Sequence, residues 1–261
     1  MAFLIEGRLF GLLCLVVIMA AVAYYIKQAQ GGRAPKVRRI PGIDAIDEAI
    51  GRAVEMGRPV FCSHGIANLR GATSGPQTLA GLSVLSYVAK RSVDVGAELT
   101  VPVRVPEVWP IAAEIVETEY KLAGKAEEFN SDNIVFLSSN QFGYSSNYIG
   151  LMMRDKPGAN IMVGAYWAES LQLAETGARV GAMQIAGTAN TSQIPFFLVA
   201  TDYCLIGEEI YSAGAYLTND APLMASLAGQ DVGRIIAVLL GLLGAITVTM
   251  GSTILLDLFA M

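Results

Sequence analysis

Few side chains in this sequence can do chemistry, and they are scattered. His64 is the single histidine and follows Ser63. Neighbours on an extended strand point to opposite faces, so adjacency does not make these two a nucleophile–base pair. A Ser–His–acid triad would need a distant serine, and no G-x-S-x-G turn occurs. One histidine also excludes a multi-histidine metal site within one chain. Its ring can titrate near neutral pH or serve as a hydrogen-bonded structural group. Ser138, Ser139 and Asn140 precede an expected helix, where short polar residues cap free N–H groups and where a small anion also binds. Thr188, Tyr166 and Asp202 fall at the expected ends of other apolar runs. A strand-end acid such as Asp202 can hold magnesium or act as a base, but no second acid stands at suitable spacing. No G-x-G-x-x-G follows a strand, no G-x-x-x-x-G-K-[ST] occurs, and the glycine-rich stretch 71–81 lacks a phosphate-binding lysine. The candidate ligand-binding residues are therefore Ser63, His64, Ser138, Ser139, Asn140, Thr188 and Asp202. They name no catalytic residue, no metal and no cofactor.

The elements that must position these residues alternate. Ile43, Ile46, Ala49, Ile50 and Ala53 recur at helical spacing, and Gly57 ends that helix. Short apolar runs begin near residues 59, 98, 133 and 160. Helical stretches over 76–93, 106–122, 142–153 and 167–177 separate or follow them. Runs apolar throughout, rather than at every second position, indicate strands buried on both faces. The expected fold is α/β: a Rossmann-like, doubly wound, mostly parallel sheet. Residues 187–193 are too few for a helical crossover, so 180–186 and 194–201 are expected as strands that pair antiparallel or lie apart, an antiparallel edge making the sheet mixed. In such a fold, ligands sit at the carboxyl ends of the strands, which is where the candidate residues fall.

Both ends of the chain read as membrane segments. The sequence has 261 residues, 53% hydrophobic and 16% charged, with a mean hydropathy of +0.48. Residues 9–26 carry no charge and are long enough to cross a bilayer core of roughly 30 Å. Residues 235–261 are apolar except for Asp257. A cleaved leader would have a positive start and a shorter apolar stretch; Glu6 offsets Arg8 here, so the first segment reads as a retained anchor. Lys27, Arg33, Lys36, Arg38 and Arg39 follow the first segment, and Arg234 precedes the second. Basic flanks stay cytoplasmic, which places both termini outside the inner membrane and the main domain in the cytoplasm. The expected organisation is an N-terminal transmembrane helix (1–27), a basic linker (28–42), a cytoplasmic α/β domain (43–230) and a C-terminal transmembrane helix (231–261). Gly241, Gly244, Ala245, Gly251 and Ser252 offer small faces for helix packing, either to the first helix or to a neighbouring copy. Residues 41–230 carry a net charge of −9, which repels phosphate backbones and argues against nucleic acid. Three scattered cysteines exclude a disulfide-stapled fold, and Cys62 and Cys204 are expected as reduced, packed thiols.

The segments TSGPQTLAGLSVLSYVAKRS and VFLSSNQFGYSSNYIG, set between two apolar helices, resemble a family of prokaryotic membrane proteins of unknown function. The resemblance spans most of the chain and implies no catalytic residues. Two functions remain open. The favoured one is a membrane-anchored scaffold that associates with lipid, copies of itself or other membrane proteins. The other is a membrane-tethered small-molecule-binding domain or enzyme using the strand-end residues.

Overall fold

The computed structural model describes residues 9–31, 40–218 and 221–251. Ser252, Asp257 and the linker bases from Arg33 to Arg39 lie outside the described residues. The chain divides into two compact units, Arg39–Thr218 and the flanks Met1–Arg38 with Asn219–Met261.

The central unit is a six-stranded sheet between two helix layers. It opens with helix α2 (Pro41–Glu55), following α1 (Leu9–Gln30) of the flanking unit. Proline in the first turn and Asp44 beside it suit a helix start. Then come β1 (Val60–Gly65), α3 (Gly75–Val95), β2 (Leu99–Val103), α4 (Trp109–Leu122) and β3 (Ile134–Phe136). The second half runs through α5 (Gln141–Asp155), β4 (Ala159–Ala165), α6 (Ser170–Val180), β5 (Met183–Thr188), α7 (Ile194–Ala200), β6 (Tyr203–Ile206) and α8 (Glu209–Thr218). The strand order is β3-β2-β1-β4-β5-β6, and every pairing is parallel. Every residue of β1, β2, β4 and β5 is buried, in keeping with their largely apolar sequences. The order reverses between β1 and β4, so the α/β, doubly wound expectation holds.

The antiparallel edge does not. Residues 194–200 form helix α7, and β6 adds parallel to β5, with Ile185 opposite Tyr203. A seven-residue apolar run is ambiguous between strand and helix. Pro195 falls in the first turn of α7, where its missing N–H costs nothing. About two helical turns are enough to return the chain to the amino end of the sheet.

Helices α2, α3, α4 and α8 cover one face with Ile46, Leu85, Val88, Ala112 and Ile210 in the core. Helices α5, α6 and α7 cover the other with Tyr144, Tyr148, Leu173 and Phe197. On that second face the Tyr148 hydroxyl donates to Asn160 Oδ1 (2.7 Å), and Asn160 Nδ2 donates to Gln184 Oε1 (3.1 Å). Gln184 Nε2 then donates to the carbonyls of Ala174 (2.7 Å) and Ala200 (3.0 Å). This buried chain joins α5, β4, β5, α6 and α7 and leaves no side-chain amide group unsatisfied. On the first face α3 approaches the sheet at Gly81. A Cβ there would strike the Val163 carbonyl and lie 2.8 Å from the His64 Cα.

In the flanking unit, α1 and α9 (Ala221–Thr249) contain two stretches long and apolar enough to cross a membrane, Phe10–Gln30 and Ala228–Thr249. They approach where Gly229 faces Val22 and Gly233 faces Ile18, which makes them antiparallel. Gly241 and Gly244 have open space where a side chain would stand, Gly251 ends the run in a left-handed turn, and Ala245 is exposed. The contact within the chain therefore uses glycines earlier in α9 than those singled out from the sequence.

Substituting Gly81→Ala forces α3 off the backbones of β1 and β4, because the atoms met are main chain and cannot rotate away. A loss of about 2–4 kcal/mol is expected. Gly150→Ala, in α5 with nothing within 4 Å, is expected to be neutral or to stabilise by up to about 1 kcal/mol. Thermal melts of the two variants, side by side, check the pair.

Candidate functional site

The carboxyl ends of the strands gather most of the candidate residues but not into one pocket. Ser63 faces the α5 side, fully packed, with its hydroxyl 2.8 Å from the Tyr144 hydroxyl. The Tyr166 hydroxyl donates to the Ser63 carbonyl (3.2 Å). Burial holds the Tyr144 and Tyr166 phenols and the Cys62 thiol well above their ordinary values, so all three stay protonated. The Cys204 thiol is pushed up to about 11, first by burial and then by Glu209.

His64, one residue on, takes the opposite face of β1. It is fully buried, and neither ring nitrogen has a hydrogen-bond partner. Burial lowers its pKa to about 4. The ring is therefore neutral at physiological pH, and it is set apart from Ser63 by the sheet itself.

Thr188, at the end of β5, is buried and donates to Gln77 Oε1 (3.3 Å), which also accepts the Ala189 N–H (3.0 Å). Asn190 continues the chain, its side-chain amide donating to the Tyr166 carbonyl (2.5 Å). Ser138 accepts the Asn140 N–H (3.2 Å), and Asn140 caps α5 by accepting the N–H groups of Phe142 and Gly143 (3.0 Å each). Ser139 is exposed, and its carbonyl accepts Arg104 Nε (3.1 Å). Arg104 Nη1 meanwhile donates to the Ile66 carbonyl (2.6 Å), tying the ends of β1, β2 and β3 together.

Asp202 does not join them. Because 194–200 is helical, Asp202 precedes β6 instead of ending a strand. It stands at the amino end of the sheet, where Oδ2 accepts the Gln184 N–H (2.7 Å). A cavity of about 390 Å³ opens at that end, lined by Arg52, Met183, Gln184, Val199, Thr201 and Asp202 among others. Arg52 Nη1 lies 3.6 Å from the Met183 sulfur across it. The cavity and the other six candidates thus belong to opposite ends of the strands.

Sequence reasoning missed Gln77, Arg104, Asn190 and Glu169. The Glu169 carboxylate is buried and accepts the Trp167 N–H (2.9 Å) and Gln141 Nε2 (2.6 Å), binding the start of α6 to the start of α5. Gln77 and Thr188 are 111 positions apart, and no local pattern links them. Among the described residues, no three His, Cys, Asp or Glu side chains gather in a metal-binding group.

Comparison with known families places this arrangement. Residues 1–259 match the family described as a domain of unknown function, DUF6754. The chain belongs to DUF6754. Neither a curated protein nor a solved structure matches it. The DUF6754 match extends over both apolar helices and the whole sheet.

The burial of His64 has a measurable consequence. The folded ring stays neutral down to about pH 4, whereas an unfolded histidine protonates near pH 6.5. Between those values the unfolded state binds more protons, so stability falls as pH is lowered. By pH 4.5 the His64 share of that loss is roughly 2–3 kcal/mol. In His64→Gln this share disappears, and the Tm difference between pH 7 and pH 4.5 narrows relative to the parent chain.

Proposed function

We propose that this DUF6754 protein is a membrane-anchored scaffold or assembly protein. In this reading α1 and α9 are transmembrane helices of an inner membrane, both termini lie outside, and the α/β unit is presented in the cytoplasm. The observation that carries it is the state of the strand ends. Ser63, Ser138, Asn140 and Thr188 bond to Tyr144, to the start of α5 and to Gln77. Polar groups at the usual ligand position of a doubly wound sheet are thus engaged in closing the fold on itself. The topology rests on the basic residues that flank the apolar helices. Gly241 and Gly244, with nothing beside them, leave room for the helices of a neighbouring chain to approach closely. The partners of this reading are lipid and further copies or other membrane proteins. The acidic surface disfavours nucleic acid.

One observation favours the second reading, a tethered small-molecule-binding domain or enzyme: the two unpartnered nitrogens of buried His64. A buried polar atom without a partner is uncommon, and a small ligand or water is the ordinary remedy.

Mass photometry of the full chain in lipid nanodiscs distinguishes the readings at the level of assembly. The scaffold reading expects one discrete oligomer, a whole multiple of 27.7 kDa after correction for the disc. A population made only of single chains overturns it.

A further inference from the structure

The two helix layers of the α/β unit differ sharply in charge. Helices α2, α3, α4 and α8 carry nine acids and four bases, a net −5. Helices α5, α6 and α7 carry two of each, and all four are consumed in the ion pairs Arg154–Asp155 and Glu175–Arg179. That neutral layer exposes large apolar side chains: Val199 at 88%, Phe142 at 62% and Leu198 at 52%, with Phe196, Trp167 and Leu171 each more than a third open. The starts of the three helices that carry them are held side by side. Gln141 binds Glu169 across the starts of α5 and α6, and Ser170 Oγ donates to Gln193 Oε1 (2.8 Å) across the starts of α6 and α7. An apolar patch of this kind on a folded domain marks an interaction surface.

We infer that the outward face of α5, α6 and α7 is where a second copy of this chain docks, layer against layer. The inference rests on the scaffold reading and names the surface through which copies meet. Two arguments select this occupant. First, a neutral apolar patch is self-complementary in a two-fold pairing, whereas two acidic layers repel each other. Second, three helices about 10 Å apart, about 22, 16 and 10 Å long, present on the order of 500 Å². That is the larger part of the roughly 800 Å² per partner of a standard interface. Copies anchored in one membrane also meet at raised effective concentration.

The test uses the full chain in nanodiscs and in vesicles. The double variant Val199→Glu/Phe142→Glu is expected to lower the oligomer mass at least two-fold while leaving the melting temperature near that of the parent, since both side chains are already solvated. Val199→Cys is expected to form an interchain disulfide under mild oxidation about ten-fold faster than Glu114→Cys on the acidic layer, as proximity dictates. The cysteines of the parent chain serve as the blank. An oligomer that survives the double variant, with no Val199→Cys cross-link, overturns this inference and leaves the scaffold reading standing. A parent chain that is only monomeric overturns both. A fluorophore on Val199→Cys that is quenched by brominated lipid overturns the pairing in favour of a membrane contact. If the double variant fails to fold, the cross-linking comparison alone decides.

Discussion

At the centre of the sheet, helix and strands meet backbone to backbone. Gly81 brings α3 onto the main chain of β1 and β4, Gly65 adopts a φ of +88°, and Gly164 turns with a φ of +150° so that its bare Cα passes the His64 carbonyl. The β1–β4 register shifts between Ser63 and Gly65 at the same place. A side chain at any of these three positions would meet peptide atoms, which cannot move aside. This contact lies where the strand order reverses, the position at which doubly wound sheets ordinarily keep a crevice. Here a helix fills the ground next to it. The neighbouring polar groups are left to one another: Gln77 with Thr188, Arg104 with two loop carbonyls.

The opposite face is organised by hydrogen bonds as much as by apolar packing. The run from Tyr148 through Asn160 to Gln184 crosses two strands and reaches two helices. Each amide in it can be satisfied only when every neighbour stands in register, so the network selects one arrangement of α5, α6 and α7 over near alternatives. Glycine appears again where it is needed, since a Cβ at Gly177 would collide with the Gln184 side chain. The net-neutral exterior of this layer sits on a rigidly keyed interior.

The features that could be read from the sequence were those fixed by near neighbours. The largely apolar, non-alternating runs of β1, β2 and β4 imply strands covered on both sides, and the Ile43–Ala53 spacing implies a helix with one buried stripe. Asn140 was legible as a cap because its partners are two and three residues away. What failed was the reading of Ile194–Ala200, where too few residues repeat for a period to emerge. That single error carried Asp202 to the wrong end of the sheet. The site itself was half legible: the residue types at the strand ends were found, but their partners were not. Gln77 meets Thr188, and Arg104 meets Ile66, only after the sheet has assembled in its order, and nothing in a local window encodes such meetings. The burial of His64 without a partner was hidden for the same reason, because it depends on α3 lying directly above it.

The hydrogen bond from Tyr216 to Asp44 joins the last helix of the sheet-containing unit to its first. Entry and exit therefore stand side by side, and topologically the unit is a parenthesis opened and closed inside an antiparallel hairpin of two apolar helices. Such a module can be acquired, lost or exchanged without rerouting the hairpin that carries it.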